Sequence, residues 1–146
     1  MTTLDGYLDQ QGYRRIPLSK NGVGHFQTVG ILAGHTLSVL VDTGAGATVV
    51  SLALARELGL ELEKLPSTGG GAGGVSLDLF QVRGATLKLG RLTPQVRQLM
   101  AMDFEHINHG LSCKGCDPVD AILGADVFET QSAVIDYGNS SLFLKE

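Results

Sequence analysis

A short acidic turn directly follows one of the most apolar stretches of this chain. Residues 37–41 read Leu-Ser-Val-Leu-Val and lead straight into Asp42, Thr43 and Gly44. Such a run predicts a buried strand, and glycine permits the tight turn that must follow it. β-type composition resumes at Thr48, Val49 and Val50. The sequence therefore predicts one carboxylate, that of Asp42, held at a strand end between two buried segments.

A single Asp-Thr-Gly supplies one carboxylate of an acid–base pair that needs two. Two carboxylates about 3 Å apart cannot both ionise, so they share one proton. The ionised member can take a proton from water while the other donates one to a carbonyl oxygen. The tripeptide occurs once, at residues 42–44. We therefore expect the second carboxylate to come from Asp42 of another copy, related by a two-fold axis.

Composition indicates a folded domain with many turns. The chain has 146 residues, enough for one domain with a sizeable core. Its 43% hydrophobic and 18% charged residues are typical of a globular protein. Twenty glycines, about twice the usual share, favour close backbone approach and turns, as in a small β barrel. We predict an amino-terminal arm over residues 1–12 and a single domain over 13–146.

Charge and hydropathy argue against two classes of partner. The net charge of −4 and the lack of a basic stripe with interleaved aromatics predict no nucleic-acid partner. No apolar run approaches the roughly 20 residues that span a membrane, so no membrane partner is predicted. Residues 1–11 are polar and lack the apolar core of a signal peptide. This favours a cytoplasmic location, or a periplasmic one if a leader was trimmed.

The pattern of apolar and turn residues predicts an all-β chain, mainly β with one or two short helices. A helix over 51–59 has Ser51 as its cap and Gly59 as its end. Residues 77–82 and 85–89 are predicted to pair as a hairpin, and 103–118 to be irregular. Other predicted helices cover 4–10 and 125–130, and other predicted strands cover 13–18, 25–32, 36–41, 95–101, 121–124, 133–137 and 141–144.

A glycine-rich segment over residues 68–74 reads Thr-Gly-Gly-Gly-Ala-Gly-Gly. The simplest interpretation is a flexible loop. The same composition suits a mobile flap whose backbone approaches a ligand. It is not a phosphate-binding loop, because no Gly-Lys-Ser/Thr follows it.

His106, His109, Cys113 and Cys116 are zinc-ligand residue types within eleven positions. The spacing between the pairs is shorter than in usual zinc modules. We favour a loop with coincidental histidines, and a Cys113–Cys116 disulfide or a metal site remain open alternatives. No metal and no cofactor are predicted.

Three features together resemble the retropepsin-like aspartic proteases, particularly the single-domain bacterial type. They are residues 41–45, the glycine-rich segment, and residues 120–128 followed by 134–137. The last pair matches a second family motif, in which an apolar-apolar-Gly segment precedes a helix and a terminal strand. The resemblance implies a closed β barrel with one lobe per chain, a homodimer, and a peptide or protein substrate. It implies an aspartic endopeptidase that needs no cofactor.

The resemblance also implies residue roles. Asp42 is the catalytic residue, the Thr43 hydroxyl braces the partner's turn, and the Gly44 carbonyl binds substrate backbone. Ala45 supports the catalytic loop. Gly124 packs behind that loop, with Ile122 and Leu123 beside it in the second motif. The flap residues that would close over substrate are Gly69, Gly70, Gly71, Ala72, Gly73 and Gly74.

The chain departs from retroviral members at Gly46, Ala47 and Ala125. Retroviral proteases carry acidic residues after the catalytic motif and pair one with an arginine after the second-motif glycine. Both halves of that ion pair are missing here. A non-catalytic peptide-binding or scaffold module on the same barrel is therefore the alternative function. Asp126 is predicted to cap the helix over 125–130, and Asp136 to be a turn residue.

Overall fold

A computed structural model describes residues 2–69 and 76–146 of the chain. The described part is mostly β, as predicted, and holds twelve strands and four short helices. The helices are α1 Leu4–Gln10, α2 Leu52–Glu57, α3 Glu105–Cys113 and α4 Ala125–Thr130. The strands are β1 Tyr13–Pro17, β2 Ser19–Lys20, β3 Phe26–Leu32, β4 His35–Val41, β5 Val49–Ser51, β6 Glu61–Gly69, β7 Leu77–Arg83, β8 Leu87–Lys88, β9 Met100–Met102, β10 Ala121–Leu123, β11 Val134–Asp136 and β12 Ser141–Lys145.

In the larger sheet, β10, which comes late in the sequence, lies between the earlier strands β4 and β5. The strand order of this sheet is β2-β3-β4-β10-β5-β9-β7-β6, and β8 pairs with β3 outside that path. Strand β10 runs parallel to β4, with Leu123 opposite Val41, and antiparallel to β5, with Ile122 opposite Val49. This insertion brings the end of β10 beside the end of β4, where Asp42 follows.

The last strand of the chain, β12, is the central strand of the smaller sheet. Strand β12 pairs antiparallel with β1 on one side and with β11 on the other. The predicted closing hairpin between β11 and β12 is confirmed, with Asp136 opposite Ser141. Both edges of β12 are therefore used within one chain.

Among residues 2–69 and 76–146, the sheets do not close into the expected barrel. Strand β8 hydrogen-bonds to β3 at Ile31 and Leu32, but to no strand at the other end of the sheet among the described residues. Strands of only two residues, β2 and β8, cover parts of β3 and leave Thr28 to Gly30 without a partner on that side. Strand pairing along this side of β3 is thus interrupted, and the described strands form two open sheets.

The observed helix α2 lies within the range predicted from its local sequence signals. The Ser51 hydroxyl accepts a hydrogen bond from the Leu54 N–H at 3.3 Å, as an N-cap does. Gly59 has a φ of +70°, a backbone conformation that glycine adopts without strain. Helix α1 also lies over the predicted residues 4–10, and its Leu8 is buried.

Two other predictions are wrong. Residues 105–113 of the segment predicted to be irregular form α3, which packs Ile107 and Leu111 against a second core cluster around Phe104, while the rest of the segment is turn or coil. Residues 77–82 and 85–89 do not form a hairpin, since β7 pairs with β6 and β9 while β8 pairs with β3. The turn at Gly84, with a φ of +74°, redirects the chain to another strand. The predicted strand over 95–101 is also shorter, starting at Met100 as β9.

No helix among the described residues is long and apolar enough to cross a membrane.

Candidate active site

Asp42 lies in the turn that follows β4. Its backbone N–H donates to the Leu123 carbonyl at 3.0 Å, which continues the pairing of β4 with β10. Asp42 itself is half-buried, whereas Thr43 and Gly44 are exposed. The buried strand thus presents a carboxylate at the surface from a fixed backbone position.

The turn orients the Asp42 carboxylate. The Gly44 N–H donates to Asp42 Oδ1 at 2.9 Å, and the Ala45 N–H donates to the Asp42 carbonyl at 3.2 Å. The Gly44 N–H to Oδ1 distance is that of an ordinary hydrogen bond, so the position of Oδ1 is fixed by the turn. Among the described residues, Oδ2 accepts no hydrogen bond. One oxygen is therefore fixed, and the other can face a water molecule or a second carboxylate.

A buried hydroxyl links the turn to the second motif. Thr48 is fully buried, and its Oγ1 donates to Asp126 Oδ1 at 2.8 Å and accepts from the Gly124 N–H at 3.1 Å. The Ala125 N–H donates to the Ala45 carbonyl at 2.7 Å. These hydrogen bonds connect the segment between Asp42 and β5 to the residues that directly follow β10.

Gly124 lies against the backbone of the Asp42 loop. A Cβ at this position would lie 2.5 Å from the Ala47 carbonyl oxygen and 2.8 Å from that of Ala45. No backbone atom can yield at such distances without a shift of the loop. Only glycine therefore fits here without rearrangement.

Ile122 and Leu123 fix β10 from opposite faces. Leu123 is fully buried in the main core cluster, while Ile122 packs in the second cluster with Leu40 and Phe104. Ala45 packs against the same second cluster from the turn. Both cores of the molecule thus hold the strand and the turn that position Asp42.

The prediction that Asp126 caps α4 is wrong. Gly124 occupies the N-cap position and makes no side-chain cap, and Asp126 lies in the first helical turn. Its carboxylate instead accepts the Thr48 hydroxyl hydrogen. Sequence reasoning missed Thr48, although a hydroxyl directly before the apolar residues of β5 signals a buried polar group that needs partners.

The flap prediction falls mostly outside the described residues. Strands β6 and β7 pair antiparallel, and their last pairs are Thr68 with Asp78 and Gly69 with Leu77. Gly69 is thus the last residue of β6. The other predicted flap residues, Gly70, Gly71, Ala72, Gly73 and Gly74, lie outside the described residues.

Asp136 is the last residue of β11 rather than a turn residue, and its carboxylate binds the turn that follows. Its Oδ1 accepts the Asn139 backbone N–H at 3.2 Å, and its Oδ2 accepts the Asn139 side-chain amide at 2.9 Å. These bonds lower the pKa of Asp136, and the Asn139 side chain contributes most. The carboxylate therefore fastens the β11–β12 turn.

The histidines and cysteines lie on and just after α3 rather than in a loop. Cys113 Sγ is 3.6 Å from His109 Nε2, and Cys113 and Cys116 are both free thiols, so the disulfide alternative is not what the structure contains. In the described part of the chain, no three His, Cys, Asp or Glu side chains are grouped to hold a metal ion.

A family profile identifies the family of this chain, and two solved structures share its fold. The sequence profile of the aspartyl protease family matches residues 28–127, which include Asp42 and Gly124. A retropepsin-like aspartic protease from Rickettsia conorii is similar in structure, with a TM-score of 0.57 and 18% identity over 90% of each chain. The retroviral protease-like domain of Ddi1 from Leishmania major has a TM-score of 0.51 and 13% identity, over 81% of this chain and 86% of that domain. A comparison with curated proteins gave no match.

Proposed function

We propose that this chain, which belongs to the aspartyl protease family and has a retropepsin-like fold, hydrolyses peptide bonds as a homodimer. One observation carries the proposal: Asp42 directly follows the strand β4, and its Oδ1 accepts a hydrogen bond from the Gly44 N–H at 2.9 Å. The catalytic motif occurs once in the chain. A site with two carboxylates therefore needs two copies.

The proposed mechanism places one water molecule between two Asp42 carboxylates. Side by side, the two groups share a single proton. The ionised carboxylate takes a proton from the water as its oxygen attacks the scissile carbonyl carbon. The protonated carboxyl donates its proton to the carbonyl oxygen, giving a neutral tetrahedral intermediate. Proton transfer to the leaving nitrogen then breaks the C–N bond, with no covalent enzyme intermediate and no cofactor.

The residues next to Asp42 take supporting roles in this proposal. The Thr43 hydroxyl would brace the partner's turn, and its exposed position in the single chain suits a contact between subunits. The Gly44 carbonyl would accept a hydrogen bond from substrate backbone. The glycines over 69–74 would close over the bound peptide.

The dimer would not be built by adding a strand to β12. Strands β1 and β11 already occupy both of its edges, whereas the terminal strand builds the interface in retroviral members. The ion pair of those members is also absent at Gly46, Ala47 and Ala125. We propose that subunits meet mainly through the exposed turns that carry Thr43.

Cleavage of a diverse peptide mixture, read by mass spectrometry from acidic to neutral pH, tests the proposal. Wild type should cut, and Asp42→Asn should not, because an amide cannot act as the base. Cleavage by Asp42→Asn that a chelator abolishes would instead indicate a metal hydrolase. Peptide binding to the dimer without any cleavage would favour the non-catalytic module.

A further inference from the structure

A surface groove of about 880 Å³ lies between β1, β3 and the turn over residues 89–92. Its volume is within the range of roughly 300–1,000 Å³ that is usual for ligand sites. No residue of the 42–48 turn and none of β10 lines it within the described part of the chain. The groove is therefore a separate feature from the candidate active site.

The floor of the groove is apolar and exposed. Val29 and Ile31, two residues apart on β3, are 61% and 37% exposed, and both line it. Leu89 and Leu92 are buried beside them. Adjacent exposed apolar side chains in a concave surface are typical of a binding site.

The rim of the groove is positively charged. Arg14, Arg15 and Arg91 line it, and Glu146 is the one acidic lining residue. Glu146 pairs with Arg14 at 3.3 Å, and Asp5 lies 3.9 Å from the Arg15 Nε. Among the described residues Arg91 has no ion pair, so it is the uncompensated positive charge of the groove. Charge of this sign attracts an acidic partner.

Two of these arginines are held in place by local structure. Arg91 sits in a tight turn closed by backbone hydrogen bonds between Leu89 and Leu92 at 2.8 and 3.0 Å. Arg91 forms no ion pair with any described residue. The Arg15 Nε donates to Ser141 Oγ at 2.8 Å and lies 3.9 Å from Asp5 Oδ2, while its two terminal nitrogens have no hydrogen-bond partner among the described residues.

The wall formed by β1 is a free strand edge. Backbone bonds from Leu18 to Ser140 and from Glu146 to Gly12 show that the even-numbered residues of this segment face β12. The N–H and carbonyl of Arg15 therefore point away from β12, and no described strand pairs with them. An added peptide strand can use both groups.

A second copy of β1 is a poor occupant of this edge. Antiparallel pairing of two β1 strands across a two-fold axis would bring Arg14 and Arg15 of both copies together. Pro17 has no N–H to donate, which further weakens such a pairing. Like charges opposite each other on neighbouring strands are destabilising.

We propose that the groove binds an extended acidic peptide segment of another protein, with apolar side chains at alternate positions. The backbone of the peptide would pair with Arg15, its apolar side chains would cover Val29 and Ile31, and a carboxylate would meet Arg91. Binding here is independent of peptide hydrolysis at Asp42.

The test uses the whole 146-residue chain with Asp42→Asn and two fluorescent peptides of about six residues, which span about 20 Å when extended. The probes are Glu-Val-Glu-Val-Glu-Leu and its counterpart with lysine in place of glutamate. We expect the acidic peptide to bind at least about tenfold more tightly, with affinity that falls as salt rises. Arg91→Glu and Val29→Ser should each weaken binding about tenfold, which is roughly 1.4 kcal/mol.

Matched controls change similar side chains outside the groove. Arg97 is exposed and Leu4 is 47% exposed, and neither lines the groove. Arg97→Glu and Leu4→Ser should leave binding unchanged. Equal binding of both peptides, equal effects of Arg91→Glu and Arg97→Glu, or no binding by any variant would overturn the proposal. So would a change in oligomeric state on Val29→Ser without an effect on peptide binding, since that would identify a second copy as the occupant.

Discussion

The conformation of the Asp42 turn depends on two residues that pack behind it, Gly124 and Thr48. Gly124 lacks the Cβ that would meet two carbonyl oxygens of the turn, and the Thr48 hydroxyl satisfies one donor and one acceptor in a buried position. Neither residue touches the Asp42 carboxylate in the described structure. Any effect of these two residues on activity is therefore indirect, because they determine where the backbone places Asp42.

Gly124→Ala should destabilise the protein by about 1–3 kcal/mol, because the added methyl group meets backbone atoms that cannot move alone. Gly46→Ala is the matched control in the same loop, since a Cβ there meets nothing within 4 Å. Urea denaturation should show a lower midpoint for Gly124→Ala only. Equal midpoints for both variants would show that the loop adapts freely.

Thr48→Val should also cost about 1–3 kcal/mol, because it keeps the shape and leaves the buried Gly124 N–H without an acceptor. Thr48→Ser keeps the hydroxyl and should lose less stability. Thermal unfolding of both variants tests this. If valine is tolerated better than serine, packing rather than the hydrogen bond is what Thr48 contributes.

At the scale of elements, the turn between β11 and β12 depends on an ionised carboxylate. The folded-state pKa of Asp136 is lowered, mainly by the Asn139 side chain. Stability from this turn is therefore fully present above the unfolded pKa of about 3.9 and is lost as pH falls through the lower folded value.

Asn139→Ala should raise the pKa of Asp136 toward its ordinary value, since it removes the largest cause of the shift. The backbone N–H groups of Gly138 and Asn139 remain, so part of the lowering should persist. An NMR titration of the Asp136 carboxyl in both proteins measures the change. An unchanged titration midpoint would show that the side-chain amide does not bind the carboxylate in solution.

Elements with strong local signals were predictable from sequence. Helix α2 has its Ser51 cap and its Gly59 end, and the β11–β12 hairpin has turn residues at Gly138 and Asn139. Helix α3 has a terminal glycine, Gly115 with a φ of +74°, but its start is poorly signalled, because Phe104 at its N-cap makes no side-chain cap and Gly110 lies inside it.

Helix α3 is instead fixed by contacts distant in sequence. The Asn108 side chain donates to the Val119 carbonyl at 3.1 Å and accepts from its N–H at 2.8 Å, while Leu111 is buried in the second cluster. The pairing of β8 with β3 is likewise non-local. The motif around Asp42 was visible in sequence because it is contiguous, whereas its brace through Thr48 depends on a contact across 76 positions with Gly124.

At the scale of the whole molecule, the account requires a dimer. Thr43→Ala should weaken dimerisation, because two symmetry-related hydrogen bonds would be lost, each worth about 1 kcal/mol. This predicts a dissociation constant at least roughly tenfold higher, with activity restored at high protein concentration. Thr43→Ser should behave like wild type. Sedimentation equilibrium tests it, and an unchanged dissociation constant for Thr43→Ala would rule out this role for Thr43.

The most direct test of the central claim is a mixing experiment. Wild type at fixed concentration is equilibrated with increasing Asp42→Asn, and peptide cleavage is measured with substrate in excess. If each site is shared by two copies of Asp42, mixed dimers carry one carboxylate and are inactive, so activity per wild-type chain should fall steeply as the variant is added. Activity per wild-type chain that stays constant through a large excess of Asp42→Asn would contradict a site built from two chains.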